Sequence, residues 1–294
     1  MVPFPDVVPR LPDGVLGDVF DGYNPPPSTM DETEFYVPPY SFDREPLKLI
    51  AEMPRLAVVQ LLTAGFEHAL PYIPNGVRLC KAGGVHDTST AELAVTLMLA
   101  ALRGIPEFVR AQDAQEWHHV RFDALADKRV LILGYGEIGA AVDRRLAGFE
   151  VNVRRVARHA RDGVFPMSAL PELLPTTDVV VVTVPLTDET RGLVNAEFLA
   201  RLPDRALVVN VARGGVVNTE ALLDELRTGR LRAALDVTEP EPLPPDHPMW
   251  TVPGLLLSPH VGGNTTAFDP RARQLILNQI TRYVSDEELL YQVK

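Results

Sequence analysis

The sequence predicts an α/β protein with a doubly wound parallel sheet and a second, smaller domain. From Lys128 onward, short apolar runs alternate with helical segments. Strands that are apolar along their whole length are typical of a parallel sheet covered on both faces. Before residue 75 the chain holds 13 of its 27 prolines, which favours short strands and irregular loops over long helices in the smaller domain.

Composition limits the classes of protein and of partner. The chain has 294 residues and a formal net charge of −11, so we expect two domains and neither nucleic acid nor an anionic membrane as a partner. The single cysteine, Cys80, excludes an intramolecular disulfide and a multi-cysteine zinc site, and we predict no metal. The first residues show no secretory pattern, and no apolar run is long enough to cross a bilayer, so we expect a cytoplasmic protein.

Two predicted elements precede the regular region. The segment 56–65 is predicted as a buried strand, and residues 91–102 as a helix preceded by cap-type residues at 88–90. That helical segment, continued to residue 109, is apolar nearly all round, which indicates burial between domains or subunits. We therefore predict domains of 1–90 with 267–294 and of 91–266, and a homodimer.

The regular region follows in order. Strands are predicted at 129–136, 150–158, 178–185, 206–212, 231–237 and 254–260. Helices are predicted between them at 137–149, 168–177, 195–203 and 218–229, with a last helix at 267–284.

The first strand of this region runs into a glycine motif. Gly134, Gly136 and Gly139 form G-x-G-x-x-G between a strand and a helix, the setting typical of a dinucleotide-binding (Rossmann) domain. The first glycine permits the tight turn, the second lets backbone approach a pyrophosphate, and the third allows close helix packing. The opening helix, with Glu137 and Ile138, offers amide donors to the phosphates.

The end of the second strand indicates which nicotinamide cofactor is bound. An NAD site usually places an acidic residue there, but 151–161 contains none and the expected position falls near Ala157. Arginine binds a 2′-phosphate bidentately. We predict NADP, or else NAD, with Arg158 as the leading contact; the other candidates are Arg154, Arg155 and Arg161.

Three further charged side chains follow strands. Arg213 lies in "NVARGG", Glu241 in "LDVTEPEP" and His260 in "LSPH". Ligands of such sheets bind beyond the carboxyl ends of the strands, so these three are expected to converge at one edge. A histidine there can donate a proton to an oxygen that gains negative charge.

The chain resembles the D-isomer-specific 2-hydroxyacid dehydrogenase family. The matching segments are "ILGYGEIG", "TVPLTDETRGLVN", "NVARGGVVNTEALLDELRTGRL", "AALDVTEPEPLP" and "SPHVGGNT". They cover most of 128–266 in the family's order. "TAGFEH" and "TSTAELAV" extend the resemblance loosely toward the N-terminus.

The resemblance implies roles for particular residues. Arg213 would clamp the substrate carboxylate and ketone, His260 would be the general acid and base, and Glu241 would bind that histidine. Asp236 would face the nicotinamide carboxamide, and Pro185 would also contact the cofactor.

The resemblance also implies a smaller, discontinuous flavodoxin-like substrate domain. Its residues Gly65 and Phe66 would bind the substrate carboxylate through their amides. His86 is interpreted as a loop or cap residue or as part of the substrate pocket, and the role of Trp117 stays open. In the family the helix corresponding to 91–109 packs against a second subunit.

These residues predict an oxidoreductase that transfers a hydride between NADPH and a small 2-keto acid such as glyoxylate or hydroxypyruvate. A phosphite-type dehydrogenase on the same scaffold is an alternative. Another is a non-catalytic protein that senses NAD(P). Glu241 counts against formate oxidation, for which the resemblance implies a glutamine at that position.

Overall fold

The structure is a computed structural model that describes residues 1–41 and 43–294. It divides into two compact units, Met1–His86 with Thr265–Lys294, and Asp87–Asn264. The sequence predicts divisions after residues 90 and 266. The assignment of the first unit to substrate and the second to cofactor stays a prediction.

The described elements are these, in chain order. The strands are β1 Phe35–Tyr36, β2 Val58–Gln60, β3 Arg78–Cys80, β4 Arg129–Leu133, β5 Asn152–Ala157, β6 Phe165–Pro166, β7 Val179–Val182, β8 Leu207–Asn210, β9 Arg232–Leu235 and β10 Leu255–Leu257. The α-helices are α1 Glu45–Lys48, α2 Asp87–Leu102, α3 Ile105–Asp113, α4 Glu137–Leu146, α5 Leu170–Leu173, α6 Ala196–Ala200, α7 Thr219–Arg227 and α8 Phe268–Val284. Short 3₁₀ helices cover Pro5–Arg10, Met30–Glu32, Leu49–Glu52, Leu70–Tyr72, Met167–Ala169, Leu174–Thr176, Gly214–Val216 and Pro248–Trp250.

The second unit contains a seven-stranded parallel sheet in the order β10-β9-β8-β7-β4-β5-β6. Its central strand β7 is fully apolar, as expected when both faces are covered, and every residue of β7 is 0% exposed. Two core clusters, one on each face, alternate along these strands: Val180 belongs to one and Val181 to the other. The predicted doubly wound sheet is confirmed.

The first unit contains a small parallel sheet in the order β1-β2-β3. The N-terminal backbone extends it: Val37 donates to the carbonyl of Met1, and Val2 bridges Val19 in parallel. With these N-terminal segments included, the sheet runs in the order Val19, Val2, β1, β2, β3. Numbered by their place in the chain, the five segments have the order 2-1-3-4-5, which is flavodoxin-like. On the other side Val293 donates to the carbonyl of Leu79, so the last residues pair with β3.

Several predicted bounds are wrong for local reasons. The helix predicted to continue to residue 109 breaks at Gly104, which has φ +62°, and α3 starts afresh after it. Helix α2 begins at Asp87, so the cap-type residues 88–90 lie inside its first turn. The predicted helix 168–177 is divided by Pro171 and Pro175, since proline lacks the N–H that continues an α-helix. The strand predicted at 56–65 keeps ladder geometry only over β2.

In the described part of the chain, none of the helices combines the length and the apolar character that a bilayer span requires.

Candidate active site

Three adjacent strands of the large sheet deliver the predicted polar residues to one edge. The strands β8, β9 and β10 are neighbours and parallel, so their carboxyl ends lie side by side. Arg213 follows β8, Glu241 follows β9 and His260 follows β10. The convergence at one edge therefore follows from the strand order.

His260 and Glu241 form a hydrogen-bonded pair. The ring Nδ1 lies 2.7 Å from the Glu241 Oε1 atom, and both side chains are about one-third exposed. A carboxylate only accepts at neutral pH, so Nδ1 carries the proton that it donates to Glu241. A proton exchanged between this ring and a ligand would therefore pass through the other ring nitrogen, Nε2.

The turn that carries His260 is fixed by Asp236, the residue directly after β9. The buried carboxylate accepts from the Ser258 hydroxyl at 2.6 Å and from the amides of Val261 and Gly262 at 2.9 Å each. The Asp236 carbonyl accepts from the His260 amide at 2.7 Å. Asp236 therefore holds the residues on both sides of the histidine.

This anchoring matters because His260 has φ +53°. A residue other than glycine is uncommon in this left-handed region, and such strain persists only where surrounding contacts fix it. The four bonds to Asp236 provide those contacts. The Asp236 carboxylate uses three of its acceptor positions in these bonds. The predicted contact of Asp236 with a nicotinamide carboxamide stays a prediction.

Arg213 is placed by a buried asparagine. The Asn210 side chain, 0% exposed at the end of β8, donates to the Arg213 carbonyl at 3.0 Å and accepts from the Ala212 amide at 3.0 Å. The half-buried guanidinium donates to the Ala212 carbonyl at 2.7 Å. The next residue must be glycine, because a Cβ on Gly214 would lie 1.9 Å from the Thr238 carbonyl oxygen.

The glycine turn has the geometry that a dinucleotide requires. Gly134 has φ +104°, and a Cβ on Gly139 would lie 2.1 Å from the Gly134 carbonyl oxygen. A Cβ on Gly136 would meet no atom within 4 Å, so the space above it is open to a ligand. Helix α4 starts here without a side-chain cap, which leaves amide donors such as that of Ile138 to a phosphate. The residues present fit a dinucleotide.

The remaining predicted cofactor residues lie around this turn. Glu137 is the first residue of α4. Pro185 lies exposed shortly after β7, and its carbonyl accepts from the Thr190 hydroxyl at 2.6 Å. The preceding Val184 amide approaches Gly134 closely enough that only glycine fits there.

The four arginines near the end of β5 are not equivalent. Successive side chains of a strand point to opposite faces, and Arg154 accordingly donates to Thr176 at 2.6 Å while Arg155 donates to Asp143 on α4 at 2.7 Å. Arg158 follows the strand and pairs with Glu189, both side chains being mostly exposed. Arg161 donates to the carbonyl of Tyr135 in the glycine turn.

In the first unit, Gly65 and Phe66 lie in the loop after β2. Within the described residues their amides donate to no protein acceptor, so these amides are available to a carboxylate. The Thr63 hydroxyl donates to the Gly65 carbonyl at 2.7 Å and shapes the loop. Their role in binding substrate stays a prediction.

His86 is buried and directly precedes α2; whether it acts as a loop or cap residue or as part of the substrate pocket stays a prediction. It is 5% exposed, its Nε2 donates to the Leu62 carbonyl at 2.6 Å, and its ring stacks on Phe268 at 5.4 Å. Trp117 is 96% exposed and lies in the segment that follows α3.

Sequence reasoning missed several residues that support the site. Asp143 and Tyr135 act through contacts between separate elements, and no spacing rule points to them. Asn210 acts on its chain neighbours Ala212 and Arg213. A signal existed for Asn210 alone, because a polar residue at the end of an apolar strand indicates a fixed turn.

Comparison with known proteins agrees with this geometry. The model of the D-isomer specific 2-hydroxyacid dehydrogenase NAD-binding domain matches residues 95–262. The glyoxylate reductase/hydroxypyruvate reductase of Mus musculus is 36% identical over 238 residues, which is 76% of this chain and 73% of that protein.

Two crystal structures are also similar. One is a D-isomer specific 2-hydroxyacid dehydrogenase from Xanthobacter autotrophicus Py2 in complex with NADPH and MES; it has a TM-score of 0.81 and 33% identity, over 98% of this chain and 93% of that one. The other is an NADPH-dependent glyoxylate/hydroxypyruvate reductase from Sinorhizobium meliloti in complex with NADP and sulfate. It has a TM-score of 0.83 and 28% identity, over 99% of this chain and 95% of that one.

The predicted resemblance is thus confirmed by the family model, the curated relative and the two structures. The family model and these relatives support hydride transfer between NAD(P)H and a 2-keto or 2-hydroxy acid. The chain belongs to the D-isomer-specific 2-hydroxyacid dehydrogenase family and is an NAD(P)-dependent oxidoreductase.

Proposed function

We propose that the protein reduces small 2-keto acids of the glyoxylate and hydroxypyruvate type, with NADPH preferred over NADH. The observation that carries this proposal is the His260–Glu241 pair at the carboxyl edge of the sheet that also bears the glycine turn. Relatives that are named as reductases of these two acids support the substrate class.

His260 is proposed as the general acid and base. When bound, the nicotinamide cofactor supplies the hydride. Reduction leaves negative charge on the ketone oxygen. His260, protonated on both ring nitrogens, donates the Nε2 proton to that oxygen and becomes neutral, while Glu241 accepts the hydrogen bond from Nδ1. In the reverse direction the same nitrogen takes the proton from the hydroxyl group.

Arg213 is proposed to orient the substrate. A guanidinium presents a planar pair of donors to a carboxylate, and Asn210 fixes the backbone from which this one extends. In the first unit, the amides of Gly65 and Phe66 are proposed as donors to a substrate carboxylate.

The preference for NADPH is proposed from charge. No acidic residue occurs from Val151 to Arg161 to repel a 2′-phosphate, and Ala157 is the small residue that ends β5. Arg158 and Arg161 lie beyond the strand end, whereas Arg154 and Arg155 are bound elsewhere. Structures of relatives with NADPH or NADP bound support this choice.

A cytoplasmic homodimer is the proposed state of the protein. Exposed apolar side chains concentrate on α3 and the segment after it: Ile105 48%, Phe108 37%, Val109 52%, Trp117 96% and Val120 43%. Concentration of this kind is typical of a contact surface. Light scattering is expected to give twice the chain mass of 32.4 kDa, and a monomer at micromolar concentration would contradict the proposal.

A turnover screen tests the proposed activity. Glyoxylate, hydroxypyruvate, a bulkier 2-keto acid and phosphite are each supplied with NADPH or NADH (NADP⁺ or NAD⁺ for phosphite), and cofactor absorbance is followed. We expect reduction of the two small keto acids, faster with NADPH. Turnover of phosphite alone would indicate the alternative dehydrogenase, and cofactor binding without any turnover would indicate a sensing protein.

A further inference from the structure

The side chain of Tyr135 lies between two guanidinium groups. Tyr135 is the middle residue of the glycine turn, and the ring centroid lies 5.7 Å from the Arg155 guanidinium carbon and 5.5 Å from that of Arg161. Guanidinium groups are attracted to aromatic faces at such distances. The proposed function uses only the backbone of this turn, so the ring needs an explanation of its own.

The Tyr135 hydroxyl is bound by a charged residue of α4. The Tyr135 hydroxyl donates to Asp143 at 2.6 Å, and Arg155 donates to the same carboxylate at 2.7 Å and 3.1 Å. Burial raises the pKa of Asp143, but the hydrogen bonds from Arg155 and Tyr135 outweigh it and hold this pKa below its usual range. The hydrogen bond to Asp143 raises the pKa of Tyr135, which therefore stays a neutral donor.

Arg161 is held in place by both its backbone and its side chain. Its amide donates to the Val164 carbonyl at 3.2 Å and its carbonyl accepts from the Val164 amide at 2.8 Å, across a tight turn in which Gly163 has φ +67°. Its guanidinium donates to the Tyr135 carbonyl and faces the ring. Both arginines are exposed, but Arg161 is held against the glycine turn, whereas Arg158 is paired with Glu189.

A dinucleotide places its adenosine ribose between the glycine turn and the end of the second strand. That is where Arg161 is held. We propose that Tyr135 is a positioning residue for cofactor selectivity: its ring and carbonyl hold the Arg161 guanidinium in place for the 2′-phosphate. This inference rests on the proposed NADPH preference. A pre-oriented fork loses less side-chain freedom on binding than a solvated arginine does.

Calorimetry with two nucleotides that carry no nicotinamide tests this role. The probes are adenosine 2′,5′-bisphosphate and adenosine 5′-monophosphate, and their affinity ratio isolates the contribution of the 2′-phosphate. The proteins are the wild type, Arg161→Gln, Tyr135→Leu and Tyr135→Phe. Arg227→Gln serves as a matched loss of charge far from the turn, since the Arg227 side chain pairs with the exposed Asp224.

We expect the wild type to bind the bisphosphate about tenfold or more tightly than the monophosphate. Arg161→Gln should lose most of that ratio. Tyr135→Leu should lower it about three- to tenfold, by removing the cation–π contact, while Tyr135→Phe, which keeps the ring, stays within about twofold and Arg227→Gln is unchanged. The monophosphate affinity should stay constant, and KM should rise for NADPH but not for NADH, with kcat unaltered.

The outcomes separate this inference from the proposed function. A wild type that binds both nucleotides equally contradicts the NADPH preference itself. A wild-type preference that survives in Tyr135→Leu or in Arg161→Gln overturns only the role of the Tyr135–Arg161 pair. If Tyr135→Leu also loses monophosphate binding or unfolds early, Tyr135→Met replaces it, and an unchanged ratio there overturns the inference equally.

Discussion

Two regions at the carboxyl edge of the large sheet, one beyond β8 to β10 and one beyond β4 and β5, hold their charged side chains in different ways. At the β8–β10 edge, His260 and Arg213 are fixed through the backbone around them, by Asp236 and Asn210. At the β4–β5 edge the arginines are fixed through their own guanidinium groups, which bind Asp143, Thr176, Glu189 or Tyr135.

The difference corresponds to the two tasks. Proton transfer needs a nitrogen at one distance and angle, and backbone anchors supply that rigidity. Phosphate recognition depends on charge and on several donors, so an arginine that changes partners can still contribute. We therefore expect substitutions at the first edge to change kcat and those at the second to change cofactor affinity.

The largest expected effect is at His260. His260→Ala should lower kcat by about 10² to 10⁴-fold, because the proton donor to the ketone oxygen is lost. Stopped-flow turnover measures this loss, and fluorescence titration with NADPH should show unchanged affinity. Glu241→Gln, which keeps a hydrogen-bond acceptor without the charge, is expected to lose less. An unchanged kcat in His260→Ala would mean that the proton donor lies elsewhere.

A smaller loss is expected at the anchor of the histidine. Asp236→Asn replaces one acceptor oxygen by an NH₂ group, which cannot accept from the Val261 or Gly262 amide. We expect kcat to fall roughly tenfold or more and the free energy of unfolding to fall by about 1–3 kcal/mol. The exposed Asp246→Asn is the matched control. Full activity in Asp236→Asn would show that the turn is held without the carboxylate.

A selectivity effect without loss of kcat is expected at Arg158. Arg158→Ala should reduce the preference for NADPH by about threefold to tenfold, since its guanidinium is exposed and shared with Glu189. The ratio of kcat/KM for NADPH and NADH measures it. Glu189→Gln should act in the opposite direction by freeing Arg158. A change in kcat with both cofactors would contradict the expectation that residues beyond β4 and β5 affect cofactor affinity and not kcat.

The smallest effect on turnover is expected at the amino ends of the central strands. There Arg129 binds the Asp178 carboxylate with its amide, Nε and Nη2, each at 2.8 Å. The hydrogen bonds from Arg129 lower the pKa of Asp178, so its contribution to stability is present at neutral pH and is lost as the pH falls through that lowered value.

Asp178→Asn should therefore reduce the free energy of unfolding by about 1–3 kcal/mol at pH 7. The difference from the wild type should shrink below about pH 4. Denaturant unfolding at several pH values checks this. Asp204→Asn, which removes a pair at 3.9 Å with Asp204 84% exposed, should change stability by less than about 0.5 kcal/mol. A difference independent of pH would exclude an ionic origin.

The same contrast explains how far the sequence could predict the structure. The strands β7 to β10 and the residues after them follow from apolar runs and from motif spacing, because parallel order brings strand ends together. Arg158 was chosen from its place in the sequence, but the pairing with Glu189 and the holding of Arg161 by Tyr135 depend on side chains 26 to 31 residues apart. No local pattern encodes such contacts.

The first unit was predictable only in outline for a related reason. Its strands are two or three residues long, and their register depends on the ends of the chain, where Met1 and Val293 supply partners. Periodicity over two residues carries no signal. The density of prolines predicted the irregular loops. The burial of His86 was not predicted, because its ring stacks on Phe268, which is distant in the sequence.

The pairing of Val293 with Leu79 has a consequence for the order of events during synthesis. The second unit is one continuous segment, whereas the first needs α8 and the residues after it, which are translated last. Since domains fold as they emerge from the ribosome, the Asp87–Asn264 unit can fold while the earlier residues 1–86 still wait for their final partners. Hydrogen exchange on ribosome-bound chains ending at residue 264 would show protected amides in the large sheet and exchanging ones in β3.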